Sequence, residues 1–391
     1  MTSKRNNPSR PNGAIRYQFA RLVAVLVSLS GLILGSVSSA SADESEALRK
    51  KYQRRVDASV ERGLAYLAEI QISKEEARRL NKPHLAGSFD DDYVQGNTGI
   101  AGLAVMAFLA KGHTPGAGPY GDTINLGIDY ILSQQLDNGL LVSKDRSGRT
   151  TGLMYSHSIA TLLLCEVTGM VDEQRQQKID DVLPQALLVL LQAQAVPKTE
   201  MHVGGWRYTP GTTDSDLSLT GWSIMALRAA KLNGAAIPDK HIAMAISYIL
   251  KCRSLDGSFT YQPNVGRGTA SMTGVAVLCL ELCGEHGNEA LIPAGDYILR
   301  APPRITEGGR PYRFRYYAFY YCAQAMFQLG GKYWEQFAPH MYDSLLADQK
   351  NDGSWTYDGS SRFGATYPTA LAILTLTVSA RQLPIYQREE N

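Results

Sequence analysis

Two aspartates and one histidine are the main candidates for acid–base chemistry in this sequence of 391 residues. Asp214 and Asp216 lie two residues apart, and His157 lies on an earlier segment. A carboxyl or imidazole group can act as an acid or base when it is held beside the reacting atom. Each also has a structural alternative, because Asp216 or Ser218 could cap the following helix and a histidine at a helix start often caps or packs. For Asp216 the pattern favours the cap.

Aromatic and hydroxyl side chains at comparable positions are candidates for ligand binding. They are Tyr155, Trp206, Tyr208, Tyr316, Tyr317, Tyr320, Thr273 and Thr369. Each lies at or near the start of an apolar segment that we expect to be a buried helix. Aromatic faces can stabilise cations, and helix N-termini favour anions. If the helix starts converge, these side chains line the entrance of one cavity.

An internal repeat supplies the elements that must position these residues. One segment recurs as a helix ending in Tyr-Leu/Ile-x-x-x-Gln, followed by a turn and often by Gly-x-aromatic. Its copies end at Gln71, Gln135, Gln194, Arg253, Pro302 and Gln349, in steps of 64, 59, 59, 49 and 47 residues. Repeats of this length are typical of stacked helix hairpins. The sequence therefore predicts six copies of one hairpin.

The two helices of each hairpin differ in polarity. The first helix carries charge on one side, as at Glu61, Arg62 and Glu69, which predicts an outer position. The second is apolar almost all round, which predicts an inner, buried position. The last inner helix, predicted over Thr369–Val378, is as apolar as the others, so an open stack would leave it uncapped. We therefore expect an all-α (α/α)6 toroid without strands, in which ring closure brings Asp216, His157 and Tyr317 together.

The first 42 residues resemble an export signal rather than part of the fold. Five basic residues and no acidic residue precede an apolar run from Leu22 to Val37, which is followed by small residues that end in Ala40-Ser41-Ala42. This pattern predicts cleavage before Asp43, a single domain over residues 43–391, and a periplasmic or extracellular location. The alternative is an uncleaved anchor that associates the protein with a membrane. The mature chain would hold 34 basic and 37 acidic residues, which gives no reason to expect nucleic acid as a partner.

Cysteine and acidic residues give no metal or cofactor site by their spacing. The five cysteines are an odd number and lie mostly in apolar helical segments, so we expect no disulfide framework. Cys279 and Cys283 share a helix face, but no histidine or acid completes a zinc set. The run 90–92 of three aspartates could bind a divalent cation and a diphosphate, although a solvated turn is favoured.

Several motifs resemble those of known toroid families. Gln349-Lys-Asn-Asp-Gly-Ser-Trp355 is similar to the Gln…Gly-x-Trp repeat of squalene and oxidosqualene cyclases, and the resemblance covers about residues 56–380. Met154–Ala160 and Gly204–Tyr208 resemble segments of bacterial proteins with prenyltransferase/squalene-oxidase repeats. The resemblance implies the α/α toroid, with a cavity that opens at the N-terminal ends of the inner helices. It is weaker evidence for chemistry, because one fold hosts many functions.

The cyclase resemblance implies an acid motif, Asp-x-Asp-Asp, that this chain lacks in full. Asp214-Ser-Asp216-Leu217 begins like the motif but has no last acid, and the family's closing aspartate would fall near Leu219.

The prenyltransferase resemblance implies zinc held by Asp, Cys and His. Tyr317–Tyr320 resembles the aromatic run after the zinc cysteine, yet Phe314 and Tyr316 precede it and no histidine lies near Thr366–Pro368. A zinc prenyltransferase is therefore not expected.

Two functions stay open. One is an enzyme, similar to terpenoid cyclases, that takes an apolar ligand such as an isoprenoid into a central cavity. The other is a non-catalytic ring that binds a lipid, peptide or glycan, or an exported partner, outside the cytoplasm.

Overall fold

Long helices alternate between an outer and an inner position along the chain. The computed structural model describes residues 39–89, 96–144, 150, 153–307, 310–311, 314–357 and 364–387. The outer helices in this part of the chain are α1 (Ser39–Ile70), α4 (Gly121–Leu132), α6 (Glu173–Ala195), α8 (Asp239–Lys251), α10 (Leu291–Arg300) and α12 (Gly331–Asp348). The inner helices are α3 (Thr98–Ala110), α5 (Leu153–Val167), α7 (Leu217–Leu232), α9 (Ala270–Leu282), α11 (Arg315–Leu329) and α13 (Thr366–Leu376). The predicted all-α class with six hairpins is confirmed.

Burial separates the two sets of helices as the polarity of the sequence predicts. Every residue of α3 is buried, whereas Glu61, Arg62 and Glu69 of α1 are exposed. Each inner helix packs against the inner helices of the two neighbouring hairpins, and α13 packs against α3. Because the last inner helix contacts the first, the inner helices form a closed ring.

A repeated glutamine ties each of four hairpins to the next outer helix. Gln194 Nε2 donates to the His241 carbonyl of α8 at 2.9 Å. Gln349 Nε2 donates to the Gly353 carbonyl at 2.9 Å and to the Ser59 carbonyl of α1 at 2.8 Å. The glutamines that make this link are Gln71, Gln135, Gln194 and Gln349. The last of them joins the sixth hairpin to the first and so helps to close the ring.

The glycine of the predicted turn allows this close approach. Gly204 and Gly353 have φ values of +100° and +91°, which favour glycine. A Cβ atom on Gly204 would lie 2.1 Å from the Met244 carbonyl oxygen, and one on Gly353 would lie 2.4 Å from that of Arg62. The turns therefore pack directly on the backbone of the next outer helix.

Short elements depart from the predicted pattern. The connection between α10 and α11 contains two antiparallel strands, β1 (Thr306–Glu307) and β2 (Arg310–Pro311), although no strand was expected. Two-residue strands are too short to show the alternation that identifies a strand in a sequence. A short helix, α2 (Lys74–Arg79), lies between α1 and α3, and α13 begins three residues earlier than predicted.

Aromatic side chains fill the space between inner helices. Trp222 of α7 stacks on Tyr320 of α11, with ring centroids 5.6 Å apart and planes at 10°. Tyr321 packs on both rings. These contacts join helices that are two places apart in the ring, so they cross its interior.

The C-terminal segment covers one end of the inner helices. Its 3-10 turn, Pro384–Tyr386, places the buried Tyr386 hydroxyl against the Tyr320 hydroxyl. The Ile385 N–H donates to Glu166 Oε2 of α5 at 3.3 Å. Burial raises the pKa of Glu166 to about 8. The interior is therefore closed at this end by residues of the chain itself.

The N-terminal prediction falls mostly outside the described residues. Residues 1–38 are not among them, and the predicted cleavage point before Asp43 lies in the first turns of α1. None of the described helices has the length and hydropathy that a membrane span requires.

All five cysteines are unpaired, and four of them are buried.

Candidate functional site

The six connections from outer to inner helices lie at one end of the ring, which we call the mouth. Their described parts are 71–89 with 96–97, 133–144 with 150, 196–216, 252–269, 301–307 with 310–311 and 314, and 349–357 with 364–365. The inner helices begin at this end, as the resemblance to toroid families implies. The C-terminal segment that contacts Glu166 and Tyr320 lies toward the opposite end, because Glu166 is near the C-terminus of α5.

Asp216 is the N-cap residue of α7. Its Oδ1 accepts hydrogen bonds from the Leu219 N–H at 2.9 Å and from the Ser218 hydroxyl at 2.7 Å. Its side chain is fully buried. The structural role that the sequence favours for Asp216 is therefore present, and it occupies only one of the two carboxyl oxygens.

The second carboxyl oxygen of Asp216, Oδ2, takes no part in capping α7. Oδ2 is buried and makes no close hydrogen bond among the described residues, although the Tyr261 hydroxyl is near enough to lower the pKa of Asp216. Arg207 Nε lies 3.7 Å away, which is an ion-pair distance but too long for a hydrogen bond. Burial raises the pKa of Asp216 above the usual aspartate value, against the opposing effects of its hydrogen bonds and Arg207. Asp216 thus presents an acceptor in a largely desolvated place.

Asp214 lies at the rim of the same site. Its side chain is 36% exposed and pairs with Arg207 Nη1. Gln262 Nε2 lies 3.5 Å from Asp214 Oδ2 and donates to the Ser215 carbonyl at 2.8 Å. Asp214 therefore holds the loop of Asp216 and orients Arg207.

Three tyrosines gather beside Asp216. The Tyr155 hydroxyl hydrogen-bonds the Ser218 hydroxyl, and the Tyr208 and Tyr261 hydroxyls bond each other. The rings of Tyr155 and Tyr208 are 6.1 Å apart, and the Arg207 guanidinium lies over Tyr208 at 5.0 Å. Tyr208 is 48% exposed. The structure therefore brings the predicted Tyr155 and Tyr208 together and adds Arg207 and Tyr261.

The sequence contains a signal for the missed Tyr261. In three turns the repeat aromatic is followed two residues later by tyrosine, as Trp206–Tyr208, Phe259–Tyr261 and Trp355–Tyr357. Comparison of the turns would have placed Tyr261 and Tyr357 in the same class as Tyr208.

Tyr317 approaches this cluster from the other side of the ring. It lies in the first turn of α11 and is buried. Its hydroxyl makes no close hydrogen bond in the described part of the chain, and Tyr321 is its polar neighbour. Burial and then the nearby hydroxyl of Tyr155 raise its pKa, with Tyr367 and Asp216 contributing. Because α5 and α11 face each other across the ring, Tyr155 and Tyr317 meet only through ring closure.

His157 is not part of this cluster, contrary to expectation. Its Nδ1 accepts the Leu141 N–H at 3.1 Å, and its Nε2 donates to the Ala186 carbonyl of α6 at 3.0 Å. Burial lowers the pKa of His157 to about 4, so the imidazole is neutral at pH 7. With both nitrogens bound to backbone groups, His157 links hairpins and has no nitrogen left for proton transfer.

Trp206, Thr273 and Thr369 also hold the fold rather than line the mouth. In three turns the backbone N–H of the aromatic residue donates to a threonine hydroxyl fourteen residues later on the inner helix. The pairs are Trp206–Thr220 at 3.1 Å, Phe259–Thr273 at 3.0 Å and Trp355–Thr369 at 2.9 Å. Trp206 Nε1 also donates to the Leu190 carbonyl at 2.7 Å. All three predicted residues are buried in these links.

Tyr316 and Tyr320 differ from Tyr317 although they share its helix. The Tyr316 hydroxyl donates to Asp348 and to the Thr356 carbonyl at 3.0 Å. Tyr320 is buried against Trp222, as described above. Both are therefore packing residues, and Tyr317 alone of the three faces the Asp216 cluster.

Metal ligands do not assemble within the described ranges, where no three His, Cys, Asp or Glu side chains form a metal-binding group. The three aspartates at 90–92 lie outside the described residues.

Comparisons with known proteins identify no family. No protein-family model matches the sequence, and no curated protein sequence matches it. A variant of the type II terpene cyclase MstE from Scytonema, solved with geranylgeranyl dihydroxybenzoate, aligns with a TM-score of 0.47 and 13% identity over 84% of this chain and 99% of that chain. A protein from Actinoplanes aligns with a TM-score of 0.47 and 15% identity over 83% of this chain and 99% of that chain. A glycosyl hydrolase of family 88 from Bacteroides vulgatus aligns with a TM-score of 0.39 and 11% identity over 88% of this chain and 99% of that chain. At TM-scores below 0.5, these similarities do not indicate an activity or a ligand.

Proposed function

We propose that this protein is a non-catalytic ring that binds a hydroxyl-rich ligand, a glycan, at its mouth. The observation that carries the proposal is a pair of buried oxygen atoms, Asp216 Oδ2 and the Tyr317 hydroxyl, that make no close hydrogen bond among the described residues. Their polar neighbours are the hydroxyls of Tyr261 and Tyr321. Both oxygen atoms lie below the partly exposed tyrosines Tyr155, Tyr208 and Tyr261. A buried polar group without a partner costs about 1–3 kcal/mol, which a ligand hydroxyl can recover.

The chemistry of the cluster suits a sugar better than an apolar molecule. Tyrosines offer a flat apolar face together with a polar edge, which matches the two kinds of surface on a sugar ring. Arg207, Asp214 and Gln262 add donors and acceptors at the rim. A few placed polar groups among aromatic side chains are typical of small-molecule sites.

The filled interior favours this function over the apolar cavity that the cyclase resemblance implies. Trp222, Tyr320 and Tyr321 occupy space where a hydrocarbon chain would lie, and Tyr386 covers the end beyond them. An apolar ligand of isoprenoid length would have to displace these well-packed rings.

A second function is supported by one observation. The raised pKa of Asp216 favours its protonated form, which an acid-catalysed terpenoid cyclisation would need. In that function the carboxyl donates a proton to an alkene, and Tyr155, Tyr208 and Tyr317 stabilise the resulting cation.

The predicted export of the protein agrees with a glycan ligand. The signal-like residues 1–42 direct the ring outside the cytoplasm, where glycans of envelopes and matrices are accessible.

Mass spectrometry of the native protein purified from its own host tests the choice between the two functions. Retained masses that correspond to hexose-type units, released from the protein chemically unchanged, support the glycan-binding ring. A retained terpenoid, or conversion of a linear isoprenoid to a cyclic product, contradicts it and supports the second function.

A further inference from the structure

The C-terminal segment, residues 382–387, covers the end of the ring opposite the mouth. It follows Arg381, which has a left-handed conformation with φ of +48° and whose guanidinium lies over the Phe327 ring. Its 3-10 turn packs against α7, and its buried side chains are Leu383, Ile385 and Tyr386. The segment belongs to no hairpin, so its detachment breaks none of the contacts between the helices of the ring.

Glu166 lies beneath this segment. It is the second-to-last residue of α5 and is 2% exposed. Its Oε2 accepts the Ile385 N–H at 3.3 Å, which is longer than most hydrogen bonds of this kind. Burial raises the pKa of Glu166 to about 8, because a carboxylate loses its hydration there and this hydrogen bond opposes the effect only in part. The carboxyl therefore keeps its proton near pH 7 while the segment is in place.

Glu281 occupies the equivalent place in another hairpin and differs in its partner. It is the second-to-last residue of the inner helix α9 and is also buried. His286 Nδ1 lies 2.6 Å from Glu281 Oε2, and the histidine side chain is 53% exposed. Glu281 thus has a basic partner that reaches solvent, whereas Glu166 has a backbone N–H of the covering segment.

The titratable groups beside Glu166 are weak acids. They are Cys165 of its own helix, Tyr320 of α11 and Tyr386 of the C-terminal segment. Burial, with a smaller contribution from Glu166, raises the pKa of each of the three, so all are neutral near pH 7. The helix α3, which packs against α5, has no ionisable side chain. None of these groups compensates the charge of a carboxylate at Glu166.

The charged residues of the other helices that pack against α5 are engaged elsewhere or reach solvent. Arg228 of α7 donates to the Leu282 carbonyl at 2.8 Å. Arg175 of α6 pairs with Asp129 and Asp172. The remaining charged residues of α6 and α7 are partly or fully exposed, namely Glu173, Lys178, Asp180, Asp181 and Lys231. No cation of the described helices therefore favours ionisation of Glu166.

We propose that the C-terminal segment is a pH-dependent latch, which detaches when Glu166 ionises and opens the end of the ring opposite the mouth. A carboxylate beneath the attached segment is desolvated and has no cation beside it, which is costly in a protein interior. Detachment returns Glu166 to water by moving six residues, and it makes Tyr320 accessible from this end. The latch is independent of the proposed function, because it involves neither Asp216 nor the mouth.

The direction of the pH dependence follows from the two states of the latch. In the open form Glu166 is hydrated and returns to the usual glutamate pKa of 4.5, whereas in the closed form its pKa is about 8. Between these values the closed form holds a proton that the open form has released. The contact is therefore fully stabilised below pH 4.5, and the ratio of open to closed molecules rises about tenfold per pH unit up to pH 8.

Hydrogen exchange of the segment's amides, measured by mass spectrometry between pH 5 and pH 8, tests the latch. The quantity compared is the protection factor, in which the pH dependence of exchange in a free amide is already divided out. We expect the protection of the segment to fall about tenfold per pH unit in the wild type. At every pH it should be lower than the protection of α3, because the segment opens without unfolding the ring.

Two glutamine variants assign the effect to one carboxyl. Glu166→Gln keeps the shape and an acceptor for the Ile385 N–H but does not ionise, so the protection of its segment should not depend on pH. Glu281→Gln changes the equivalent buried glutamate of α9 and should keep the wild-type pH dependence.

Three results would overturn the latch. Protection of the wild-type segment that does not change with pH means that no ionisation controls its opening. Protection equal to that of α3 means that the segment detaches only when the whole ring unfolds. Both results need the wild type alone, so they decide the proposal even if a variant fails to fold. A pH dependence that persists in Glu166→Gln would assign the effect to another group.

Discussion

At the scale of residues, the buried polar side chains of this ring fall into two groups, which differ in whether their hydrogen bonds are all made within the protein. His157, Thr273 and Thr369 spend their hydrogen-bonding capacity on backbone groups of their own or neighbouring hairpins. Asp216 and Tyr317 each have an oxygen that makes no close hydrogen bond in the described part of the chain, beside Tyr261 and Tyr321 respectively. The first group stabilises the fold, and the second is available to a ligand.

His157 should make the protein sensitive to acid. Its pKa of about 4 in the folded state is below the usual 6.5, so the unfolded state binds the additional proton between these values. Stability from His157 is complete above pH 6.5 and is lost as the pH falls toward 4, by about 3 kcal/mol. His157→Gln can keep one donor and one acceptor but does not titrate. We expect its melting temperature to fall less than that of the wild type between pH 7 and pH 4.

The exposed His84 provides the comparison for this experiment. His84→Gln should follow the wild-type pH dependence. Parallel melting curves for wild type and His157→Gln over the same pH range would show that the buried imidazole does not control acid stability.

Sequence distance decides which residue roles could be predicted. The cap of Asp216 acts on Leu219, three residues away, so a local pattern was sufficient. The partners of His157 lie 16 and 29 residues away, and the Tyr320 hydroxyl meets Tyr386 across 66 residues. Nothing in the spacing of residues along one helix distinguishes these buried roles from a place at the mouth.

At the scale of elements, the hairpin is stabilised where its turn meets the next outer helix. Gly204→Ala tests that contact, because a Cβ there would lie 2.1 Å from the Met244 carbonyl oxygen. We expect a loss of about 1–3 kcal/mol from overpacking, in addition to the cost of a positive φ. Urea unfolding should show a lower midpoint with an unchanged slope.

Gly234→Ala distinguishes the cost of overpacking from the cost of a positive φ. Its φ is +84°, but a Cβ there would meet nothing within 4 Å. Gly234→Ala should therefore show the backbone cost alone, about 1 kcal/mol. Equal losses for the two variants would mean that the contact with α8 contributes nothing.

Elements were predictable where the repeat is local and periodic. The outer and inner helices follow from polarity and from the Gln–turn–aromatic pattern, both of which are contained within one hairpin. The connection between α10 and α11 was not predictable, because its Pro302 replaces the glutamine and its two-residue strands pair only with each other.

At the scale of the whole molecule, ring closure creates the candidate site. Tyr155 and Tyr317 belong to hairpins on opposite sides of the ring, and an open stack would separate them. The C-terminal segment closes the other end through Tyr386 and Ile385. A ligand would therefore reach the interior polar groups through the mouth.

The affinity of Asp216→Asn for the ligand tests this function most directly. Asparagine is also a good N-cap, so this variant should melt as the wild type does, whereas Asp216→Ala should lose about 1 kcal/mol. The control is Asp172→Asn, which alters another N-cap aspartate at the start of the outer helix α6. Asp216→Asn replaces one carboxyl oxygen with an uncharged amide NH2 group, which cannot accept a hydrogen bond from the ligand. We therefore predict at least tenfold weaker binding of the glycan, with no change for Asp172→Asn. If Asp216→Asn melts and binds like the wild type, Asp216 is only a cap and the mouth is not the binding site.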